Sequence, residues 1–257
     1  LEPLTLPLTQ RCMVIGGGLA GMQAALDVAE AGYPVVLVER EPTLGGKMRR
    51  LSGTYLNLEG GPELLQRMVE RVQGHPHVQV LTSAEVTEVT GYVGNFRATV
   101  MVSGEGAGFT FDVGAIVAAT GWDVFDRSRL PEYGGVEIAD VIDALEFEGM
   151  LAQGGVPRRP SDGALPRQVV FVQCAGSRDR ERGVPYCSKV CCMVVAKQAM
   201  LYRQRVPDGQ AFVFYIDIRS AGKGYEEYVQ RAMQQGVLYL RGKVSRVFQD
   251  ARQVMVW

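Results

Sequence analysis

Four of the five cysteines in this 257-residue chain lie close together in the sequence. They follow the pattern C-x12-C-x3-C-C and are Cys174, Cys187, Cys191 and Cys192. A structural zinc site usually takes its cysteines in two pairs, with about two to four residues inside each pair. Four thiolates are also the ligand set of an iron–sulfur cluster. The spacing alone therefore leaves three alternatives, which are an iron–sulfur cluster, a zinc site and a thiol–disulfide couple. The fifth cysteine, Cys12, lies in an apolar run and is interpreted as a core thiol.

A glycine-rich turn near the start of the chain predicts a dinucleotide site. Residues 11–15 have the pattern of a buried strand, 22–31 that of a helix and 35–38 that of a second strand. The G-x-G-x-x-G motif between the first strand and the helix suits a pyrophosphate at a helix N-terminus. An acidic residue at the end of the second strand can accept both hydroxyls of a ribose. The candidate residues are Gly16, Gly18, Leu19, Ala20, Gly21, Glu39 and Arg40.

The order of the following elements favours FAD over NAD. A third strand at 78–81 precedes three alternating segments at 85–89, 95–102 and 109–113, which indicate an antiparallel meander. This order resembles the first domain of the thioredoxin-reductase-like flavoproteins, which bind two dinucleotides. The predicted fold is therefore α/β, with doubly wound βαβ domains and antiparallel β-meanders. The resemblance adds further candidate FAD contacts, which are Gly45, Gly46, Lys47, Val86, Ala119, Thr120 and Gly121.

A second βαβ unit is predicted after a connector. Its strand lies at 169–172, its helix at 188–205 and its next strand at 211–216. The turn between strand and helix contains the four cysteines and is far longer than the usual two to six residues or so. The expected domains are 1–125 for FAD, 126–167 as a connector with a helix at 138–151, and 168–257 for the second unit. The cysteine site is thus predicted to replace a second pyrophosphate site.

Three blocks of sequence resemble the A-type flavoprotein of heterodisulfide reductase. They are residues 172–179, 186–193 and 222–227. The resemblance implies FAD and a [4Fe–4S] cluster held by the four clustered cysteines. It also implies partners, namely other heterodisulfide-reductase-like subunits that carry iron–sulfur clusters or are linked to thiols, disulfides or quinones. A homodimer is a further expectation.

Some features differ from those of larger members of that family. The chain has no C-x2-C-x2-C ferredoxin module, and no cysteine lies between Gly53 and Glu63. The sequence ends at Trp257, inside the expected second meander, so the second domain is interpreted as C-terminally truncated.

Lys197 is the candidate catalytic residue. It lies five residues after Cys192, about one and a half helical turns further on. Its neighbours at 194–196 are apolar, so the lysine needs an anionic partner or a route to water. The family resemblance implies that this partner is the flavin. The other interpretation is an ion pair with a nearby acid.

Composition excludes several other classes of function. The net charge is −1 and no run of Lys or Arg exceeds two, so a nucleic-acid footprint is not expected. No apolar stretch approaches the roughly 18–20 residues that a membrane span needs. The first residues lack the pattern of a signal peptide. These features predict a cytoplasmic protein that is not inserted in a membrane.

Together these features predict an FAD- and iron–sulfur-containing oxidoreductase subunit that passes electrons between its flavin and its cluster. Two alternatives remain open. One is a stand-alone NAD(P)H-dependent thiol–disulfide oxidoreductase, and the other is an interaction subunit without flavin.

Overall fold

The structure is a computed structural model, which describes residues 6–104, 106, 108–251 and 253–257; of Gln153 it describes the backbone only. The chain forms two compact units. The first unit contains the residues up to Arg49 and the segment Gly61–Trp122. The second contains Arg50–Gly60 and Asp123–Trp257. A short loop from the N-terminal half of the sequence therefore belongs to the second unit. The N-terminal residues 1–5, to which the expectation of no signal peptide refers, lie outside the described residues.

The first unit is built on a four-stranded parallel sheet. Its central strands are short apolar runs that are buried almost throughout, as expected where helices cover a parallel sheet. The strand order β3-β2-β1-β7 places the first strand in the middle, next to the last one. The strands are β1 (Cys12–Ile15), β2 (Val35–Val38), β3 (Val78–Leu81) and β7 (Ala115–Ala118).

Two helices and a meander complete this unit. Helix α1 (Leu19–Glu30) leads from β1 to β2, and α2 (Gly61–Gly74) precedes β3. Helix α2 is not among the predicted elements, although Leu64, Met68 and Val72 recur at helical spacing and are buried. The meander is an antiparallel sheet in the order β4-β5-β6, with a bulge in β4 between Val86 and Glu88. Its strands are β4 (Ala84–Tyr92), β5 (Asn95–Val102) and β6 (Phe109–Val113).

The second unit repeats the parallel arrangement with three strands in the order β10-β9-β8. Helix α4 joins the first two strands in sequence, and α5 joins the next two. An antiparallel hairpin of β11 and β12 follows. The elements are β8 (Gln168–Val172), α4 (Cys191–Arg205), β9 (Gln210–Tyr215), α5 (Tyr225–Gln234), β10 (Leu238–Arg241), β11 (Val247–Asp250) and β12 (Gln253–Val256).

Helix α4 is the centre of the second unit. Most of its residues are buried, so it is enclosed on more than one face, and it packs among α3, α5 and β9. Helix α3 (Ala144–Leu151) contributes Phe147 and Leu151 to the same core. Short 3-10 turns lie at Gly46–Arg50, Arg127–Arg129, Pro131–Tyr133 and Ala152–Gly154.

Two helices begin later in the chain than the sequence predicts, and local chemistry explains both. Helix α3 begins after Asp143 rather than at Ile138, because Asp143 and Glu146 form a reciprocal capping box that fixes the first turn. Helix α4 begins at Cys191 rather than at Ser188, because Lys189 has a φ of 62° and cannot be part of a right-handed helix. The two cysteines at 191 and 192 therefore form the first residues of α4.

In the part of the chain that the structure describes, no helix is both long enough and apolar enough to cross a lipid bilayer.

Candidate flavin site and cysteine centre

The glycine turn after β1 has two glycines that packing requires and one that faces open space. A Cβ at Gly16 would overlap the carbonyl group of Ala119, and a Cβ at Gly21 would overlap the carbonyl oxygen of Gly16. A Cβ at Gly18 would meet nothing within 4 Å. Gly18 also sits at the N-cap of α1, where backbone N–H groups lack helical partners. The turn therefore leaves an empty cradle at a helix N-terminus, which fits a pyrophosphate.

Glu39 lies directly after β2, beside this turn. Its carboxylate is buried and accepts hydrogen bonds from the backbone N–H of Gly17 at 2.6 Å and of Glu41 at 2.8 Å. These bonds hold the acid at the carboxyl end of the parallel sheet, where doubly wound folds bind ligands. The neighbouring Arg40 is exposed. Its Nε atom lies 3.8 Å from the Oε1 atom of the exposed Glu41, and not at the buried carboxylate of Glu39.

Gly45 and Gly46 pack against the glycine turn that follows β1. The backbone N–H of Gly45 donates to the carbonyl oxygen of Gly17 at 2.8 Å, and Gly45 and Gly18 form a parallel bridge. Gly45 and Gly46 have φ values of 117° and 51°, which favour glycine. The Nζ atom of Lys47 lies 5.0 Å from the ring centroid of Trp122.

The remaining flavin candidates occupy two different places in the first unit. Ala119 continues β7, since its N–H donates to the carbonyl oxygen of Ile15 at 2.8 Å, and Thr120 and Gly121 follow it. Leu19 and Ala20 begin α1, next to the cradle. Val86 instead lies at the β4 bulge and packs against the core between sheet and meander. The structure thus brings the glycine, Glu39 and Ala119 candidates together and leaves Arg40 on the surface.

All four clustered cysteines lie at the carboxyl end of β8 or in the connection to α4. Cys174 follows the strand by two positions, Cys187 lies in the loop, and Cys191 and Cys192 open the helix. Cys174, Arg178 and Lys189 have left-handed φ values of 61°, 60° and 62°. Such values are uncommon outside glycine and often mark functional turns. All five cysteines are free thiols.

The cysteine sulfurs are surrounded by hydrogen-bond donors. The N–H of Lys189 lies 3.3 Å from the Sγ of Cys187, and the N–H of Arg219 lies 3.4 Å from the Sγ of Cys192. The Cys191 sulfur interacts with the side chain of Ser188 and with backbone N–H groups. The guanidinium of Arg178 interacts with Cys174. This donor set suits sulfurs that carry negative charge, as thiolate ligands of a cluster do.

The acidity of the thiols differs along the set. The pKa of Cys191 is lowered to about 6, chiefly by its contact with the Cys192 side chain and also by Ser188 and two backbone N–H groups. The same contact raises the pKa of Cys192. Burial raises the pKa of Cys174, against the opposing effect of Arg178. Cys191 is therefore more acidic than Cys174 and Cys192.

Among the described residues, no three His, Cys, Asp or Glu side chains are arranged to hold a single metal ion. A zinc ion at about 2.3 Å from each sulfur would need four sulfurs packed tightly around one point. A four-iron cluster is larger than one ion and takes its thiolates further apart. The arrangement by itself therefore supports neither the zinc nor the cluster alternative.

Lys197 is buried in an ion pair inside the second unit. Its side chain is 2% exposed, and its Nζ lies 2.9 Å from one carboxylate oxygen of Glu148 and 3.0 Å from the other. The carbonyl oxygen of Gly53 accepts a further hydrogen bond from the same Nζ at 2.7 Å. Burial lowers the pKa of Lys197, and Glu148 opposes that shift. The structure therefore gives this lysine an acidic partner, which was one of the two interpretations of the sequence, and its role towards flavin stays a prediction.

Glu148 is the centre of this network. Besides Lys197 it accepts hydrogen bonds from the N–H and hydroxyl of Ser52 at 2.9 and 2.8 Å, and from Gln198 at 3.1 Å. The loop Arg50–Gly60 is thus attached to α3 and α4, and a Tyr55–Tyr225 contact with centroids 5.4 Å apart adds to this. Sequence reasoning missed Glu148 and Ser52, because nothing in the local pattern marks an acid on α3 as buried.

A family model described as pyridine nucleotide-disulphide oxidoreductase matches residues 10–172 of the chain. This match includes the glycine cradle, Glu39, the meander and β8. The chain belongs to this family.

Several relatives of this oxidoreductase chain are named as iron-sulfur subunits of CoB–CoM heterodisulfide reductase. The chain is 34% identical to one of two A-type subunits of this enzyme from Methanopyrus kandleri, over an alignment that covers 97% of this chain and 50% of the relative. It is 35% identical to the A-type counterpart from Methanocaldococcus jannaschii, over 93% of this chain and 48% of that protein. The predicted resemblance to this flavoprotein is confirmed. The chain spans about half the length of these relatives.

Solved structures confirm the predicted fold class. The thioredoxin reductase of T. acidophilum matches 96% of this chain and 70% of its own with a TM-score of 0.53 at 15% identity. The thioredoxin reductase of Lactococcus lactis matches 96% of this chain and 70% of its own with a TM-score of 0.51 at 18% identity. The oxidoreductase chain therefore has the thioredoxin-reductase-like α/β fold, and its family supports FAD as the cofactor.

Substitution by alanine should have different effects at Gly18 and at Gly21, one on FAD binding and the other on stability. Gly18→Ala should leave stability nearly unchanged, because the φ of Gly18 is −72° and its Cβ meets no atom. It should weaken FAD binding at least about tenfold, or about 1.4 kcal/mol, since the methyl group fills the cradle. Gly21→Ala should destabilise the fold by roughly 1–3 kcal/mol through overlap. Thermal unfolding and FAD titration measure both effects. Unchanged FAD affinity in Gly18→Ala would show that the cradle is not the binding site.

The buried pair predicts a strong stability effect at Glu148. Glu148→Gln should lower the free energy of unfolding by about 3–5 kcal/mol, because it leaves the Lys197 charge buried without a counter-charge. Adding Lys197→Met should restore much of the loss, since both charges are then absent. Urea unfolding of the single and double variants gives the coupling energy. Glu30→Gln, which removes the exposed pair with Arg71, is the control and should have little effect. Purely additive losses at the two buried sites would contradict the ion pair.

Proposed function

We propose that this chain is an FAD- and iron–sulfur-containing electron-transfer subunit of a heterodisulfide-reductase-like complex. The observation that carries the proposal is the connection between β8 and α4. In a second dinucleotide-binding unit this turn would be a short glycine loop, whereas here the loop and the first two residues of α4 hold four thiols whose sulfurs face N–H donors. Such a loop suits a centre that accepts electrons better than it suits a bound nucleotide.

The first unit supplies the residues for FAD. Glu39 would accept the ribose hydroxyls, exchanging its present bonds to backbone N–H groups, and Gly18 would let the backbone approach the pyrophosphate. Gly45 and Gly46 would line the same cradle from its other side. FAD, when bound, supplies a centre that exchanges electrons singly or in pairs. The chain's own part is to bind and orient that group and to keep the site shaped for it.

The second unit supplies the residues for a [4Fe–4S] cluster. Cys174, Cys187, Cys191 and Cys192 would be its ligands, and such a cluster relays single electrons. The lowered pKa of Cys191 favours the loss of its proton, which ligation of iron requires. Arg178 and the N–H groups around the sulfurs would stabilise the negative charge of the bound cluster.

Other subunits would be the partners of this chain. The relatives are named as A-type subunits of heterodisulfide reductases, and one of them is named as dependent on ferredoxin or F420H2. We propose that this chain likewise passes electrons between its flavin, its cluster and further iron–sulfur or thiol-disulfide subunits. Lys197 would act on the flavin only if it exchanged its contact with Gly53 or Glu148 for one with the cofactor.

A second candidate is a thiol–disulfide oxidoreductase that is reduced by NAD(P)H. The observation that favours it is the adjacent pair of Cys191 and Cys192, in which Cys191 has a pKa of about 6. Low-pKa cysteines are typical of thiol–disulfide exchange. The two candidates differ in metal content and in their response to NAD(P)H, so two measurements separate them.

Metal content is the first of these measurements. Anaerobically purified protein should contain about four irons and four labile sulfides per chain. Cys187→Ala should lose or convert the cluster, since it removes one ligand. Cys12→Ala is the matched control, because Cys12 is a buried free thiol on β1 that is not among the ligands. Stoichiometric zinc without sulfide would overturn the proposal.

Reduction by nicotinamide nucleotides is the second measurement. NADH and NADPH should each fail to bleach the flavin of the anaerobic protein within seconds, because the second unit has cysteines where a nucleotide loop would be. Dithionite serves as the positive control for flavin that can be reduced. Rapid bleaching by either nucleotide in the absence of a partner would favour the thiol–disulfide oxidoreductase.

A further inference from the structure

Gln173 is a buried amide at the start of the loop that connects β8 to α4. It lies between the end of β8 and Cys174, and its side chain is 5% exposed. Its backbone N–H donates to the carbonyl oxygen of Phe214 at 3.0 Å, which extends the ladder between β8 and β9 by one residue. The backbone of Gln173 is therefore fixed by the sheet, and its side chain has little freedom to leave the site.

The amide group of Gln173 has one engaged end and one unpaired end. Its Oε1 accepts a hydrogen bond from the Sγ of Cys192 at 3.1 Å. Its Nε2 is buried and has no hydrogen-bond partner among the described residues. Buried polar groups normally find partners, so an orphan donor of this kind needs an explanation.

Loss of the Cys192 proton supplies that explanation. As a thiol, Cys192 donates, and the amide presents its oxygen. As a ligand of iron, Cys192 has no hydrogen left and its sulfur can only accept. An amide oxygen 3.1 Å from that sulfur would then be repelled. Rotation of the terminal amide by half a turn exchanges Oε1 and Nε2 at almost no change in shape. An N–H then faces the thiolate sulfur in place of the oxygen, and Oε1 takes the unpaired position.

We propose that Gln173 donates an N–H···S hydrogen bond to Cys192 in the cluster-loaded protein and thereby raises the reduction potential of the cluster. The inference rests on the proposed function, because it requires a cluster on Cys192. The N–H of Arg219, 3.4 Å from the same sulfur, would be a second donor. Hydrogen bonds to cluster sulfurs are one of the factors that set the potential. They stabilise the reduced form more, because it carries one more negative charge. Gln173 is thus a positioning residue that acts on the cluster through Cys192.

The test is a redox titration of the anaerobic, cluster-loaded protein, followed by electron paramagnetic resonance. Gln173→Met keeps the length of the side chain and removes the donor, so the potential of the cluster should fall. Gln173→Glu replaces the donor by an acceptor with negative charge, so its potential should fall further. Gln198→Met is the control, since Gln198 is also buried but donates hydrogen bonds to Ala144 and Glu148 rather than to a cysteine. The reduction potential of the cluster in Gln198→Met should match that of the wild type.

Each outcome has a definite meaning. Unchanged potentials in Gln173→Met and Gln173→Glu, with full iron content, would overturn the role of Gln173 and leave the proposed function intact. Wild-type protein that binds no cluster would overturn both. If Gln173→Met loses iron, Gln173→Asn takes its place in the comparison, because it keeps an amide but shortens it by one methylene and withdraws the donor. The order wild type above Met or Asn above Glu supports the hydrogen bond, since a merely structural role gives no such order.

Discussion

The second unit depends on one buried ion pair. Lys197 and Glu148 are 2% and 1% exposed, and their side chains lie 2.9 Å apart. A charge in such a place is tolerated only when it is paired and hydrogen-bonded, so both residues constrain everything around them. Through Glu148 and Gly53 the pair holds the loop Arg50–Gly60 against α3 and α4. Because α4 begins with Cys191 and Cys192, the pair also fixes the helix that carries half of the cysteine centre.

The two units have similar βαβ arrangements but carry different functional groups in the turn after the first strand. Each has a parallel sheet in which the first strand leads through a turn into a helix, and in each the candidate site lies at that turn. In the first unit the turn is short and rich in glycine, and its backbone leaves an empty cradle beside Glu39. In the second it runs from Gln173 to Val190 and contains Cys174 and Cys187, and Cys191 and Cys192 follow directly at the start of α4. A parallel sheet with ligands at the carboxyl ends of its strands accommodates both kinds of turn.

The hydrogen-bond donors around the cysteine sulfurs are the feature of the second unit that bears most directly on its function. Thiolates gathered in one loop repel each other unless their charge is compensated. Here backbone N–H groups from the loop, the guanidinium of Arg178 and the N–H of Arg219 after β9 all face sulfur atoms. The backbone is left-handed at Cys174 and Lys189, within this loop. Local strain at such positions is therefore part of how the site is built.

Local patterns of residue types are enough to predict one part of this protein. The sequence alone predicts the apolar runs of β1, β2 and β8, the G-x-G-x-x-G turn and the group of four cysteines. This is possible because buried strands, glycine turns and thiol ligation each need particular residue types at short spacing. Contacts between groups distant in sequence emerge only from the folded chain. The partner of Lys197 is 49 positions away on α3, and the donor to Cys192 at Arg219 is 27 positions away. The unpaired N–H of Gln173 is of the same kind, since it follows from how β8, the loop and α4 enclose the amide. A pattern of residue types contains no information on which buried groups remain unpaired until the chain has packed.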